Sequence, residues 1–283
     1  MVELGDYNHL TIIKLMDFGA FLDGGEIGDI LLPRRYVKED AQIGDKVKVF
    51  VFLDSNDDYI ATTQQPFAKV GEFASLRVKD VNKVGAFLDW GLSKDIMVPF
   101  GEQKPKMEAG RNYLVFLYVD NTNRIAASGK VDKFLNKNPR GYKAGDEVQL
   151  LTGARTELGY KAIINNDCWG LIHHGDVFKN IRFGSAIKGY IKQVREDGKI
   201  DLTLQKPGYG RIEDQSTVVL KALHEENGFL PLNDKSSPDA ISQRFGCSKK
   251  TFKTAVGKLY KERLIEISDD GIRLTQKGFS QQP

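Results

Sequence analysis

The string Gly-Ala-Phe-Leu-Asp occurs twice in this chain, at Gly19–Asp23 and again at Gly85–Asp89, and the landmarks after each copy keep the same order. Asp29-Ile-Leu-Leu-Pro33 falls on Asp95-Ile-Met-Val-Pro99, and Gly44-Asp-Lys-Val47 falls on Gly110-Arg-Asn-Tyr113. The interval from the first glycine to the second is 25 positions in both copies, and Gly159 to Gly184 repeats it a third time. Each copy closes on a short apolar run: Ile60-Ala-Thr-Thr63, Ile125-Ala-Ala-Ser128 and Ile200-Asp-Leu-Thr-Leu204. A repeat this long is a whole small domain rather than a solenoid unit.

Within a copy the pattern is that of β-strands. Leu10 to Leu15, Ala20 to Asp23, Ile30 to Leu32 and Lys46 to Phe52 are short runs rich in branched and aromatic residues, punctuated by Gly, Asp and Pro. In the third copy, Glu196-Asp-Gly198 sets the turn of a closing hairpin between Lys192 and Ile200. Five strands per copy predict a small closed barrel of the OB-fold kind. The expected fold class is therefore mainly β: three tandem five-stranded barrels over residues 1–65, 66–135 and 136–207, and a different domain over 211–283.

Around Gln205 to Arg211 the Pro and Gly residues predict a linker, after which apolar spacing turns helical. A helix from about Asp214, carrying Val218, Val219, Ala222 and Leu223, is expected to stop at Asn227-Gly228. Ser237-Pro238 supplies an N-cap with proline in the first turn, and Phe245-Gly246 ends that second helix. Ser248 caps a third helix running to about Arg263. Leu264 to Leu274, alternating about an Asp-Gly turn, predicts a hairpin, so that the segment reads as a winged helix-turn-helix. At 100° per residue, Phe252, Ala255, Val256 and Leu259 of the third helix face a core. Lys250, Lys253, Thr254, Gly257, Lys258 and Lys261 face away. That helix is the one that enters a groove in helix-turn-helix proteins. The competing account of its lysines is a solvated surface.

These motifs carry a resemblance. The order Gly-Ala-Phe, a strand such as Gly170-Leu-Ile-His173, then Gly-Asp-x-Val, then a hairpin ending in Ile-x-Leu-Thr-Leu is similar to the S1 RNA-binding domain. The third copy departs from it with Gly159-Tyr-Lys161 in place of Gly-Ala-Phe. Three such barrels followed by a winged helix resemble the conserved virulence factor B family (CvfB or YitL-like). The resemblance implies a bacterial, cytoplasmic, RNA-binding protein with a regulatory role. By position in the S1 pattern it implies Phe18, Phe21, Phe87, Tyr160 and His173 as stacking residues. Arg124, Lys161, Arg195 and Lys199 are then phosphate partners. Lys250, Lys253 and Thr254, on the outward face of the third helix, are the contacts expected of the winged helix from its helix-turn-helix position. Single-stranded RNA is the expected partner, with duplex nucleic acid a further partner through the winged helix. The alternatives are a DNA-binding transcription regulator and a protein-interaction scaffold.

Charge distribution bears on which modules meet a polyanion. The net charge is −5 over residues 1–69, +2 over 70–135, +4 over 136–210 and +2 over 211–283, so the C-terminal half is favoured. The first barrel, acidic around Phe18 and Phe21, is expected to be structural or to pack on its neighbour. Any one of these phenylalanines also competes with a core role, because alternate residues of a barrel strand face inward.

Other functions find little support. No metallohydrolase, Walker or nucleophile-elbow motif is present, and Gly208-Tyr-Gly210 does not continue into a dinucleotide fingerprint. The acidic run at Asp54-Ser-Asn-Asp-Asp58 is expected to be a turn rather than a metal centre. His173 and His174, as strand neighbours, point to opposite faces and are not expected to share an ion. Cys168 and Cys247 lie far apart and are expected to be buried, reduced thiols. No catalytic residue, metal or cofactor is expected. No apolar run approaches the roughly 18 residues of a membrane span and the N-terminus lacks a signal-peptide pattern, so no membrane partner is expected.

Overall fold

The computed structural model describes residues 1–177, 180–206 and 215–280. Three closed five-stranded barrels follow one another. The first comprises β1 (Tyr7–Met16), β2 (Gly19–Asp23), β3 (Asp29–Pro33), β4 (Lys46–Leu53) and β5 (Tyr59–Thr62). The second comprises β6 (Phe73–Val81), β7 (Gly85–Asp89), β8 (Ile96–Pro99), β9 (Asn112–Val119) and β10 (Ile125–Ser128). The third comprises β11 (Glu147–Arg155), β12 (Gly159–Ile164), β13 (Cys168–His173), β14 (Ala186–Val194) and β15 (Ile200–Thr203). In each barrel the long first strand pairs with both the second and the fourth, and a parallel contact between the third and fifth closes the ring.

The repeated glycines have one physical cause in all three copies. A Cβ on Gly19 would stand 2.3 Å from the Leu32 carbonyl oxygen, on Gly85 2.5 Å from that of Val98, and on Gly159 2.0 Å from that of Ile172. The neighbouring strand therefore approaches too closely for any side chain there. The second landmark closes the barrel. The amides of Gly44, Gly110 and Gly184 each donate, at 2.8 Å, to the carbonyl of Ile12, Val78 or Thr152. Each of these lies at an irregularity in its strand, where one strand bends to serve two neighbours.

Alternate residues fill the barrels: Leu10, Ile12, Leu22, Ile30, Val49 and Val51 in the first, and Val148, Leu150, Ile164, Ile172, Ile191 and Leu202 in the third. The barrels also pack on one another. Phe50 and Phe52 of β4 set their rings edge-on to Trp90, at 5.8 and 6.4 Å between centroids, and join the core of the second barrel. Phe73, Phe116 and Phe134 form a ring cluster that meets Ile163 and Trp169 of the third. The first barrel thus packs on its neighbour as expected, but through β4 and not through Phe18 or Phe21.

The C-terminal domain comprises α1 (Gln215–Glu225), β16 (Phe229–Leu230), α2 (Pro238–Phe245), α3 (Lys249–Lys261), β17 (Ile265–Ser268), β18 (Gly271–Leu274) and α4 (Gln276–Ser280). Ser237 and Ser248 cap α2 and α3 by accepting from the amides of Ala240 and Thr251, and Gly246 ends α2 at φ 61°. The expected core residues of α3, Phe252, Ala255, Val256 and Leu259, are buried against Leu223, Ile241 and Ile272. Two elements are not expected from the sequence. The two-residue β16, too short for a periodicity, makes the wing a three-stranded sheet in the order β16-β18-β17, and α4 follows it. Most of the predicted linker, and the predicted start of α1 at Asp214, lie outside the described residues. No described helix is long and apolar enough to cross a membrane.

Candidate nucleic-acid interface

On the third barrel, β12 and β13 are antiparallel, with Lys161 opposite Leu171 and Ile163 opposite Trp169. Because strand side chains alternate, Lys161, Trp169, Leu171 and His173 share the outer face. The Lys161 ammonium lies 5.1 Å from the centre of the Trp169 ring, and the indole Nε1–H donates to Asp132 Oδ1 at 2.7 Å. That bond fixes the ring from the segment after the second barrel. Beside it runs a largely apolar groove of about 540 Å³, lined by Leu158, Lys161, Trp169, Leu171 and Lys199 among others. Leu158 is exposed at its rim. The arrangement offers a π-face, aliphatic walls and the Lys161 ammonium, groups that suit an extended strand of stacked bases and phosphates.

At the edge of this face a buried carboxylate organises three side chains. Asp201 on β15, 4% exposed, accepts a bidentate pair from Arg195 (Nε 2.8 Å, Nη2 2.6 Å) and a bond of 2.6 Å from Gln193. His173 Nε2 lies 2.9 Å from Asp201 Oδ1. Desolvation alone raises such a group. The hydrogen bonds from Arg195, Gln193 and His173 outweigh it and hold the Asp201 carboxyl well below the usual carboxylate range.

Four of the residues expected at the site have partners or orientations that the sequence does not show. Arg195 and His173 are not free surface groups but partners of Asp201. Lys199, though it lines the groove, has its ammonium 2.7 Å from Asp197 in its own hairpin. Tyr160 takes the register of Ala20 and Ala86, which are fully buried, and sits opposite buried Ile172. Its half-buried ring packs on the barrel core, so the outward place beside it belongs to Lys161. Trp169 is not among the residues expected from the sequence, although it immediately precedes the Gly170-Leu-Ile-His173 run. The alternation of that run places it on the face of Leu171 and His173.

Phe21 and Phe87 occupy the outward register of Lys161 in their own barrels, opposite Leu31 and Met97. Phe18 is 55% exposed, stands edge-on to Phe21 at 6.0 Å, and the Lys14 ammonium lies 5.8 Å from the Phe21 ring. The aromatic pair of the first barrel is therefore a surface feature. Phe87 and Met97 line a cavity of about 330 Å³ between the first and second barrels. There Arg124, expected to be free for phosphate, is ion-paired with Asp57 of the first barrel. On α3, Lys250 and Lys253 are exposed, with Lys253 Nζ 3.7 Å from Asp234. The Thr254 hydroxyl donates back to the Lys250 carbonyl at 3.0 Å, so its proton is already used within the helix.

The two cysteines are free and buried, and burial, then Asp167, pushes the Cys168 thiol up to about 12. His174 falls in a turn after β13 and faces the Thr156 carbonyl at 3.2 Å, away from His173. Among the described residues no cluster of three or more His, Cys, Asp or Glu is placed to hold a metal.

The chain matches the CvfB-like winged helix domain over residues 217–274 and the S1 domain over residues 4–64 and 70–130. The uncharacterized protein YitL of Bacillus subtilis (strain 168) is 31% identical over 262 residues, spanning 89% of this chain and 87% of its own. The chain belongs to the CvfB/YitL family. Conserved virulence factor B of Staphylococcus epidermidis (strain ATCC 12228) is 28% identical over 288 residues, 98% of this chain and 96% of that one. A solved Streptococcus pneumoniae structure, described as a multidomain protein with nucleic acid binding domains, aligns with 96% of this chain and 98% of its own at 26% identity and a TM-score of 0.44. By the two domain matches, this member of the family joins S1 domains to the family's own kind of winged helix.

Proposed function

We propose that this protein is a non-catalytic, regulatory RNA-binding protein that holds single-stranded RNA on the outer face of its third barrel and on α3 of the winged helix. The observation that carries the reading is the Trp169 ring, fixed by Asp132 and flanked by Lys161, beside the apolar groove. A base stacks on the indole, its neighbours lie along Leu171 and Leu158, and Lys161 meets a phosphate. Every base has a π-face, so this geometry selects extended single strands without fixing a sequence. The positive balance of the last two segments favours the same surface.

Fluorescence anisotropy with a labelled oligouridine, competed by unlabelled oligouridine or by duplex DNA, tests the reading. Trp169→Ala removes one stacking platform, worth about 1 to 3 kcal/mol, and raises Kd by roughly 5- to 150-fold. Unchanged affinity in that variant refutes the third barrel as the site. Stronger competition by duplex DNA than by oligouridine favours a DNA-binding regulator instead.

A further inference from the structure

The cleft between the first two barrels holds an arrangement that neither barrel makes alone. At the tip of the hairpin joining β4 to β5, Asp57 has φ 66° and reaches across to the second barrel. Its carboxylate takes the Arg124 guanidinium on one oxygen and the Lys94 ammonium, 3.3 Å away, on the other. The hairpin is held in that pose. Asp54 Oδ1 accepts from the amides of Asn56 and Asp58, Lys94 also donates to the Asp54 carbonyl, and the Asn123 amide donates to Tyr59 Oη at 2.9 Å. Below lie Phe87 and Met97, which occupy on the second barrel the outward places that Lys161 and Leu171 occupy on the third. An aromatic ring, a cavity of about 330 Å³ and two cations are therefore gathered at one place, with a carboxylate seated between the cations.

Resting on the single-strand reading above, we propose that this cleft is a nucleotide site in which Asp57 stands where an RNA phosphate binds. RNA engages the second barrel by stacking a base on Phe87 and displacing Asp57 from Arg124 and Lys94. The exchange is of one anion for another on the same two cations, so no cation is left unpaired in the cleft. Arg124 is 59% exposed and Lys94 35%, so a phosphate can reach both while the carboxylate is still present. Asp57 thereby sets the second barrel's affinity below that of the open third-barrel face.

The test measures oligouridine affinity and its salt dependence in the full chain. Asp57→Asn frees two cations. It is expected to tighten Kd about fivefold or more at low salt and to steepen the plot of log K against log salt by about 0.7 to 1.4. Asp58→Asn removes the same charge from the same exposed hairpin without touching Lys94 or Arg124, and it controls for the change in net charge. Adding Lys94→Ala and Arg124→Ala to Asp57→Asn is expected to abolish the gain. In the unaltered chain, the amide resonances of Asp57 and Phe87 are expected to shift together as oligouridine saturates the protein. This readout holds whether or not the Asp57→Asn variant folds. Equal affinities of Asp57→Asn and Asp58→Asn, or an Asp57 resonance that does not move at saturation, overturn this inference while leaving the third-barrel site standing. Absence of any oligouridine binding by the unaltered chain instead overturns the reading on which it rests.

Discussion

Asn166, at the turn between β12 and β13, clasps the backbone leading into Phe73 of the second barrel. Its Oδ1 accepts from the Phe73 amide at 2.7 Å, and its Nδ2 donates to the Gly71 carbonyl at 2.6 Å. One side-chain amide thus replaces a rung of strand pairing across a domain boundary. With the Phe73, Phe116 and Phe134 rings beside it, and Trp169 tied to Asp132, it fixes the second and third barrels to each other. The Trp169 platform depends on that docking, because the residue that orients its indole lies outside the third barrel.

Gly184 reports on the same boundary. Its φ is 76°, and a Cβ there would stand 2.0 Å from Ser75 Oγ on β6. Gly184→Ala is expected to cost about 2 kcal/mol, part from the left-handed backbone and part from the clash. Ser75→Gly in the same chain should relieve the second part alone. Hydrogen exchange of β6 and β14 measures both.

Asp201→Asn removes the carboxylate that collects Arg195, Gln193 and His173. At pH 7 it is expected to lower the protection of β14 and β15 by about 2 to 3 kcal/mol, as for a buried charged hydrogen-bond acceptor. The sign with pH follows from a carboxyl whose folded value is depressed. Its contribution is present above the unfolded value near 4 and fades as pH falls below that, toward the lower folded value. The difference between parent and variant should therefore shrink on acidification below about pH 4, as read by hydrogen exchange at several pH values. A difference that grows there would contradict the network.

Lys250→Ala with Lys253→Ala tests α3. Each phosphate neutralised by a lysine adds about 0.7 to the slope of log K against log salt on a single strand, so the double variant should flatten it by about 1.4 and weaken binding at low salt. Unchanged binding at low salt removes the winged helix from the interface. Circular dichroism of the variant should be unaltered, since neither side chain enters the core.

Several features are legible directly from the chain. The barrel strands and the caps Ser237 and Ser248 follow from local rules, strand alternation and orphan helix amides, each set by residues within a few positions. The threefold repeat and the constant spacing of Gly19 and Gly44 are visible in the chain, although the contacts that demand those glycines, with Leu32 and Ile12, are made between strands. Where local signals are weak, sequence reasoning overlooks or shifts an element, as with β16 and the end of α3 at Lys261.

Tertiary structure decided the face and the partners. Tyr160 and Lys161 differ by one position, so strand register turned the ring toward the barrel core and the lysine outward. Arg124 met Asp57 across 67 positions, Trp169 met Asp132 across 37, and His173 met Asp201 across 28. A charge or ring in the chain announces what it can bind but not which of many distant groups folding brings within hydrogen-bonding reach. That choice belongs to the closure of each barrel and to the docking of one upon the next.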